Sequence, residues 1–291
     1  MGDMPKITLK ELVTLYELEP SIRDIVVEGM TDIRIVRNIL KCLHLTVVNV
    51  RDAADIVATE VVTNGANNKN GVISLAEYFQ ARLGKNTLQV TCIVDTDFDR
   101  YLEKCYECDL LLSTDYTSME MYCVDPESVQ KVMDFAFRLT RIASDDLLKT
   151  ILPVLESLFL IRLANEHLAL GLTWKDFTKC CSVDKKGNGN LNFDQTEFLR
   201  RYVANRRELQ DTVSETINQL VSKLDNNWKC KVRFHDFAAL LSWYCKKRWN
   251  ADCRAEQVKS HFLCAADFKK VAGEALFQNL MNRITRNSPA N

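Results

Sequence analysis

The chain has 291 residues, of which 47% are hydrophobic, and its formal net charge is −1. This length exceeds that of one ordinary hydrophobic core and favours two domains, whereas the near-neutral charge excludes neither a polyanion nor a neutral partner. Eleven cysteines without a regular framework, and no basic-then-apolar leader, argue against secretion and systematic disulfide pairing. The apolar stretch 151–172 is interrupted by charged residues, so we expect a buried helix, no membrane association and a cytoplasmic location.

Short apolar runs alternate with helical periods over the first 125 residues, which predicts parallel βαβ units. The β-branched run DIVVEG ends at Glu28 and Gly29. The helix predicted after it has Asp32 in its first turn, where an acid complements the helix dipole. Further strands are predicted at 45–50, 88–94 and 109–115.

The polar segment after the second strand is rich in Asn and Gly and is predicted to be a loop. Lys69 lies in this segment and is a candidate for neutralising a scissile phosphate, although a loop lysine is more often simply solvated. Ser74 and Glu77 form a capping-box pattern that predicts the start of the next helix, and Gly84 predicts its end.

Acidic residues follow three of the predicted strands. Ligands of open parallel sheets gather beyond the carboxyl ends of the strands, so we expect an acidic cluster at one sheet edge, formed by Glu28, Asp95, Asp97 and Asp115. Asp95 and Asp97 are two residues apart and can reach the same ion if the backbone turns there. Carboxylate oxygens are the ligands that Mg²⁺ prefers, and Mn²⁺ accepts them too. The pattern therefore predicts a divalent-metal site.

Further residues are weaker candidates for this site. Asp32 and Asp99 are possible metal ligands, but Asp32 also suits a helix dipole and Asp99 also suits the start of a helix. Ser118, Glu120 and Tyr122 have a spacing that aligns them on one face of a strand, where they either support the site or pair locally. Glu120 is the preferred contributor of the three.

The second half of the chain has helical periodicity throughout. Asp125, Pro126 and Glu127 provide an N-cap, a first-turn proline and a first-turn acid. We therefore predict an α/β domain with a mostly parallel sheet over residues 1–125, followed by an α-helical domain over residues 126–291.

Basic residues in the helical half are candidates for contacting nucleic acid. Lys246, Lys247 and Arg248 lie among aromatic residues, which suits phosphates and unstacked bases, and a second basic run covers 200–207. The same pattern fits a solvated helix face with packed tryptophans. His235 is a candidate acid, base or nucleic-acid contact, although a histidine near a helix start is more often structural.

The segment 184–195 resembles an EF-hand loop, but Lys186 and Gln195 occupy positions where that loop supplies side-chain oxygens. We predict instead a turn before a helix capped by Asp194 and Glu197. The single CxxC motif has no second pair at zinc-finger spacing, so reduced thiols are expected.

A hydrophobic strand ending in EGxxD, followed by a strand ending in DxD, resembles the Toprim domain of topoisomerases, bacterial primases and OLD-family nucleases. The segments GANNKNGV, STDYTSMEMYCVDP and VRFHDFAALLSW are similar to stand-alone Toprim proteins often encoded beside an ABC-type ATPase. That family includes the AriB effectors of the PARIS anti-phage defence system. The resemblance is strong over the first half of the chain and weak over the helical half.

The resemblance implies a Toprim endonuclease that uses Mg²⁺ or Mn²⁺, with Glu28, Asp95 and Asp97 as catalytic residues, supported by Glu120 and Lys69. In that family context, Glu28 binds the metal or accepts a proton from the attacking water. The implied role is that of a toxic effector which an AriA-like ABC-type ATPase sensor holds inactive and then releases to cleave host tRNA, as a homodimer when active. A nuclease acting on DNA and a non-catalytic adaptor that binds the ATPase are the alternatives.

Overall fold

The computed structural model describes residues 7–45, 48–57, 68–184, 189–204 and 206–285. The chain forms two compact units, each assembled from separate stretches of sequence. The first comprises Met1–Thr96, Cys105–Asp115 and Asp267–Asn291, and the second comprises Asp97–Lys104 and Tyr116–Ala266. The predicted linear division between residues 125 and 126 falls inside the second unit, and the end of the chain belongs to the first.

The described strands are short and the helices vary widely in length. The strands are β1 (Ile7–Thr8), β2 (Asp24–Val27), β3 (Asn49–Asp52), β4 (Ile56–Val57), β5 (Val90–Val94), β6 (Leu111–Ser113), β7 (Cys181–Val183) and β8 (Leu191–Phe193). The helices are α1 (Leu9–Leu18), α2 (Met30–Cys42), α3 (Asn68–Leu83), α4 (Pro126–Phe135), α5 (Ser144–His167), α6 (Gln195–Tyr202), α7 (Arg207–Leu220), α8 (Phe234–Trp249), α9 (Ala255–Ala265), α10 (Phe268–Val271) and α11 (Ala275–Thr285). Single 3-10 turns include Met119–Cys123 and Trp228–Cys230.

The first unit is built on a four-stranded sheet in the order β3-β2-β5-β6, in which all neighbouring strands are parallel. The central strand β2 pairs through Ile25 with Val50 of β3 on one side and with Thr91 of β5 on the other. Two of the crossover connections contain helices, α2 between β2 and β3 and α3 before β5, whereas residues 95–110 between β5 and β6 form turns and irregular chain. The prediction of an α/β fold with a parallel sheet flanked by helices, together with a helical region, is confirmed.

Alternate residues of the strands face opposite sides of the sheet, as the pleat requires. Val26 and Cys92 belong to a buried core that also contains Phe79 of α3 and residues of α1. Arg283 of α11 donates from its Nε to the Thr91 hydroxyl at 3.1 Å, although the two residues are 192 positions apart in the chain. The final helix is therefore fastened to the sheet.

The helix α3 begins earlier than its capping-box pattern predicts. It starts at Asn68, so Ser74 and Glu77 lie inside the helix and do not cap it. Buried side chains begin with Lys69 and continue through Phe79, and this burial outweighs the low helix propensity of the Asn-rich start. The predicted end is correct, because Gly84 follows the last helical residue with a φ of +91° that glycine adopts without strain.

The second unit contains helices α4 to α9 and the antiparallel hairpin of β7 and β8. Asp125 caps α4 as predicted, because its carboxylate accepts a hydrogen bond from the Ser128 amide at 2.8 Å. Asp194 caps α6 in the same way through the Glu197 amide at 2.9 Å, which confirms that prediction. Residues 185–188 of the EF-hand-like segment lie outside the described ranges.

The longest helix, α5, spans 24 residues and buries most of its apolar positions, including Leu155 and Phe159. It continues through Pro153 and also carries Arg162, whose charge is paired inside the unit. Across the described ranges, neither α5 nor any other helix is long and apolar enough to cross a membrane.

All eleven cysteines are free thiols, and most of them are buried. In the CxxC motif, Cys105 is exposed whereas Cys108 is buried. Burial raises the pKa of Cys123 to about 12 and that of Cys181 also to about 12, so both remain protonated near neutrality. A protonated buried thiol packs as a small apolar group and is a poor metal ligand or nucleophile.

Candidate functional site

Two acidic residues follow adjacent strands at the centre of the sheet. Glu28 comes directly after β2 and Asp95 directly after β5. The order β3-β2-β5-β6 places the next strand along the chain, β3, on one side of β2 and the later strands on the other, so β2 and β5 flank a topological switch point. Open α/β sheets bind their ligands beyond the strand ends at such a point. Glu28 and Asp95 therefore stand where this fold class forms its sites.

The two strand ends are joined by a hydrogen bond. The backbone amide of Asp95 donates to Oε1 of Glu28 at 2.7 Å, and both residues are half-buried. A charged acceptor makes this bond stronger than an ordinary amide bond, so it holds the Glu28 carboxylate in one place. The prediction that Glu28 and Asp95 come together is thus met for this pair.

Lys69 lies at the same sheet edge. It is the second residue of α3, not a loop residue as predicted, and only 6% of its surface is exposed. Its Nζ donates to the carbonyl of Thr96, the residue after Asp95, at 3.4 Å. A buried ammonium group requires negative charge nearby, which the carboxylates at this edge can supply. The helix α3 therefore adds a cation to the acidic strand ends.

The turn after β5 is held by its neighbour on the edge strand. The Thr96 amide donates to the Thr114 hydroxyl at 2.8 Å, and the Thr96 hydroxyl donates to the Thr114 carbonyl. The Thr114 amide in turn donates to the Val94 carbonyl at 3.0 Å. These bonds extend the pairing of β5 and β6 past the strand ends and fix the backbone that carries Asp95.

Asp115 has a structural partner in α11. Its Oδ2 accepts a hydrogen bond from the backbone amide of Leu276, in the first turn of α11, at 3.0 Å. A carboxylate at a helix N-terminus satisfies an otherwise unpaired amide and complements the helix dipole. The capping contact accounts for an acid at this position without a metal.

Asp32 is in the first turn of α2 and is 8% exposed. Gly29, the N-cap of this helix, has no side chain to accept hydrogen bonds from the first-turn amides. Asp32 therefore provides a negative charge that stabilises the N-terminus of α2. This agrees with the interpretation of Asp32 as an acid that complements the helix dipole. Its predicted role as a metal ligand stays a prediction.

Asp97 and Asp99 belong to the second compact unit. Asp97 adopts a φ of +47°, in the left-handed region that aspartate tolerates better than most residues. Its amide donates to the Thr117 carbonyl at 2.9 Å, and its Oδ1 lies 3.4 Å from Nη2 of Arg233. Asp99 is buried, and its carbonyl accepts from the Lys104 amide at 3.0 Å in a turn. Metal roles for both stay predictions.

Glu120 lies in the 3-10 turn Met119–Cys123, so it does not share a strand face with Ser118 and Tyr122 as predicted. His235 is exposed in the first turn of α8. Partial desolvation and then the positive charge of Lys259 lower the pKa of His235, while the charge of Glu120 opposes them. A neutral imidazole at pH 7 supplies a hydrogen bond to a ligand but no positive charge.

The basic cluster at the end of α8 is partly used inside the fold. Lys246 pairs with Asp252 at 3.2 Å on the surface. Arg248 donates to the carbonyl of Asp184 at 3.1 Å, and Tyr244, which is buried, donates to the carbonyl of Gly189 at 2.7 Å. These bonds fasten α8 to the ends of the hairpin loop. A nucleic-acid contact by Lys246, Lys247 and Arg248 stays a prediction.

A buried ion pair that the motif analysis missed positions the start of α8. Asp236 is 5% exposed and accepts two hydrogen bonds from Arg162, at 2.8 and 2.9 Å. The Arg162 guanidinium also lies 3.5 Å from the centre of the Trp174 ring. Arg162 lies within the apolar stretch 151–172 of the sequence. This position indicates an ion pair, because a buried charge requires a partner of opposite charge.

Glu28 and Asp95 suit a small hard cation that is held by few protein ligands, not one that is enclosed entirely by protein side chains. Mg²⁺ is commonly held by one or two carboxylates together with waters and substrate phosphates, which matches Glu28 and Asp95. In the described ranges, no three or more His, Cys, Asp or Glu side chains are grouped to hold a metal ion. The positive charge of Lys69 weakens cation binding at this edge and favours binding that a substrate phosphate completes.

Comparisons with known proteins add no family assignment. No protein-family model matches the chain, and no curated protein sequence matches it.

Proposed function

We propose that the chain is a metal-dependent Toprim-type endonuclease that hydrolyses phosphodiester bonds with Mg²⁺ or Mn²⁺. The observation that supports this best is the hydrogen bond from the Asp95 amide to Glu28, which joins two acidic strand ends at the switch point of a parallel sheet. The order of EGxxD and DxD along the chain supports the same class. Carboxylates fixed by backbone bonds are the kind of preorganised group that phosphoryl chemistry requires.

The residues at this edge suit distinct tasks. A bound divalent cation polarises a phosphodiester and lowers the pKa of an attacking water. Asp95 offers a carboxylate on a backbone that Thr114 holds in place. Glu28 is positioned either to bind the cation or to accept the proton of the water. Lys69 is positioned to offset the negative charge of a phosphate group.

The other predicted residues keep secondary roles in the proposal. Asp97 and Asp99 continue the DxD motif as further metal ligands, and Asp32 is a ligand of the same kind. Glu120 is a supporting residue in this proposal, as the family resemblance implies.

The family resemblance extends the proposal to a biological role. By analogy with stand-alone Toprim effectors, the chain acts in anti-phage defence, held inactive by an ABC-type ATPase sensor and released to cleave host tRNA. Release is accompanied by formation of a homodimer in this proposal. The support for these steps is the similarity of GANNKNGV, STDYTSMEMYCVDP and VRFHDFAALLSW to that family.

The experiment that tests the nuclease is cleavage of total cellular RNA and of plasmid DNA by the purified full chain with Mg²⁺, Mn²⁺ or EDTA. The test variant is Glu28→Gln, which keeps the acceptor for the Asp95 amide but removes the charge. We expect metal-dependent cleavage to fall at least ~1000-fold, within the range of a lost acid–base or metal ligand. Glu17→Gln, at an exposed position of α1, is the matched control and should cleave like the wild type.

The outcomes separate the alternatives. Cutting of RNA alone or of DNA alone identifies the polymer. Equal cleavage by wild type and Glu28→Gln contradicts the proposal. If the folded wild type cuts neither polymer, the assay is repeated with the ATPase present and activated. Continued inactivity there, with partner binding intact, favours the adaptor.

A further inference from the structure

Three cations alternate along the segment just before α8: Lys229, Lys231 and Arg233. The backbone of this segment is fixed by side chains from other parts of the second unit. The Tyr101 hydroxyl donates to the Cys230 carbonyl at 2.9 Å. Thr117 donates from its amide to the Lys229 carbonyl at 3.3 Å and from its hydroxyl to the Val232 carbonyl at 2.5 Å. A backbone held in this way presents its side chains with little further loss of entropy on binding.

The first turn of α8 fixes the segment from its other end. Asp236 lies three residues after Arg233 and is locked by the two buried hydrogen bonds from Arg162. Both bonds are short and form the paired, planar contact that is strongest for arginine and a carboxylate. Arg162 and Asp236 therefore form a structural ion pair that sets where Arg233 leaves the backbone.

Arg233 forms a longer and more exposed ion pair than Arg162 does. Its side chain is 32% exposed, and its guanidinium contacts Asp97 through one pair of atoms at 3.4 Å. That separation is longer than the roughly 2.7–2.9 Å of a strong charged hydrogen bond. Exposed single contacts of this kind contribute little to stability, whereas a phosphate can accept two parallel hydrogen bonds from the same group. An incoming phosphate can therefore replace Asp97 with little loss of stability.

The two lysines of the segment are held differently. Lys231 forms an ion pair with Glu156 at 2.9 Å and is largely buried. Lys229 is half-buried, and its Nζ lies 4.6 Å from the centre of the Tyr116 ring. A cation beside an aromatic ring suits a nucleic-acid strand with unstacked bases, because the cation attracts phosphate and the ring offers a stacking surface.

We propose that Arg233 and Lys229 bind the phosphodiester backbone of an unpaired nucleic-acid strand, and that Asp97 holds Arg233 until a phosphate takes its place. The inference deepens the proposed nuclease function and rests on it for the identity of the ligand. It assigns substrate binding to the segment before α8, whereas Arg248 of the predicted basic cluster and the nearby Tyr244 are engaged in holding the ends of the hairpin loop.

The test is fluorescence anisotropy with a short labelled single-stranded RNA, the DNA of the same sequence and the matching duplex. The full chain is used, with EDTA present so that binding is measured without cleavage. We expect Arg233→Gln to bind single strands about tenfold more weakly, and the slope of log affinity against log salt to fall by about 0.7. Lys229→Gln should weaken binding about threefold, and Arg233→Lys should lie between wild type and Arg233→Gln. Arg141→Gln, an exposed arginine of the same unit, should bind like the wild type.

Asp97→Asn tests the inference because it should raise the affinity for single strands, whereas Arg233→Gln should lower it. The Asp97→Asn variant keeps the shape of the side chain but loses the charge that holds Arg233, so single strands should bind several-fold more tightly. Combining it with Arg233→Gln should remove that gain, because the two residues act on one another. If the pair only stabilises the fold, both single variants will bind more weakly and unfold at lower temperature, which contradicts the inference.

The inference and the nuclease proposal fail in different ways. If the wild type binds none of the three nucleic acids, or if Arg233→Gln and Arg141→Gln bind alike, the surface is not a nucleic-acid site, even when metal-dependent cleavage of a small chromogenic phosphodiester persists. Loss of binding in Arg233→Gln, with no cleavage by any variant in any metal even when the activated ATPase is present, keeps the binding surface and rejects the nuclease. Preference for RNA or DNA among the single strands identifies the polymer.

Discussion

The two ends of strand β2 each carry an acid, and their surroundings differ. At the start, Asp24 is 2% exposed and accepts hydrogen bonds from three side chains, those of Tyr16 at 3.0 Å, Asn49 at 3.1 Å and Arg51 at 2.6 Å. At the end, Glu28 is half-buried and accepts from the backbone amide of Asp95 at 2.7 Å. One acid is surrounded by dedicated side chains, and the other faces the edge where strands β2 and β5 end.

The two acids differ in what lies around their charge. Arg51 balances the charge of Asp24 inside the fold, and burial followed by the nearby charge of Asp24 raises the pKa of Tyr16, which therefore stays a hydrogen-bond donor. Glu28 shares its edge with Asp95 and with the buried ammonium group of Lys69. We infer that changes at the start of β2 affect stability, whereas changes at its end affect activity.

The largest expected effect is on activity at Asp95. Asp95→Asn removes a carboxylate but leaves the backbone amide that holds Glu28, so the fold should be unchanged. We expect metal-dependent cleavage to fall ~1000-fold, equivalent to about 4 kcal/mol of transition-state stabilisation. The measurement is the initial cleavage rate at saturating Mn²⁺, with the thermal unfolding midpoint as the control. A large drop in that midpoint would show that Asp95 has the structural role assigned to Asp24.

The next effect is on stability at Asp24. Asp24→Asn leaves Arg51 without its buried partner, and we expect the free energy of unfolding to fall by about 3 kcal/mol in urea titrations. Cleavage per folded molecule should stay near the wild-type value. The double variant with Arg51→Gln should lose less than the sum of the two single variants, because the residues are in contact. Simple additivity would argue against a coupled structural pair.

A smaller effect on activity is expected at Lys69, where the cleavage rate should fall while the affinity for Mn²⁺ should rise. Lys69→Met keeps the length of the buried side chain but removes its charge. We expect cleavage to fall ~100-fold, about 2.7 kcal/mol, because the charge of the phosphate is no longer offset. Mn²⁺ should bind more tightly without substrate, because a repelling charge is gone. Unchanged cleavage would assign Lys69 to charge balance within the fold alone.

The sheet and its acidic pair could be predicted because the signals are local. The β-branched run before Glu28 and the apolar run before Asp95 predict strands, and parallel topology brings their ends to one edge. Lys69 was misplaced because an Asn- and Gly-rich stretch is typical of a loop, whereas burial along α3 extends that helix to Asn68. The helix propensities of neighbouring residues carry no information about the tertiary contacts that determine where such a helix starts.

Long-range contacts account for the other differences from the predictions. Asp115 follows a strand like the other acids, but the amide it caps belongs to Leu276, 161 positions later. The Arg283 contact with Thr91 that fastens α11 to the sheet spans 192 positions. Hydrophobic periodicity predicts that these helices exist and which face is apolar, but it does not say which surface they pack against. The two compact units are therefore discontinuous along the chain, whereas the sequence predicted one linear division.

The proposed nuclease requires a divalent-cation site at the ends of β2 and β5. The most direct measurement is Mn²⁺ binding by electron paramagnetic resonance, comparing the wild type with Glu28→Gln and Asp24→Asn in the absence of nucleic acid. We expect saturable binding by the wild type and by folded Asp24→Asn, and at least ~10-fold weaker binding by Glu28→Gln. Equal Mn²⁺ affinity in the wild type and Glu28→Gln, or no binding by the wild type, would contradict the proposed cation site.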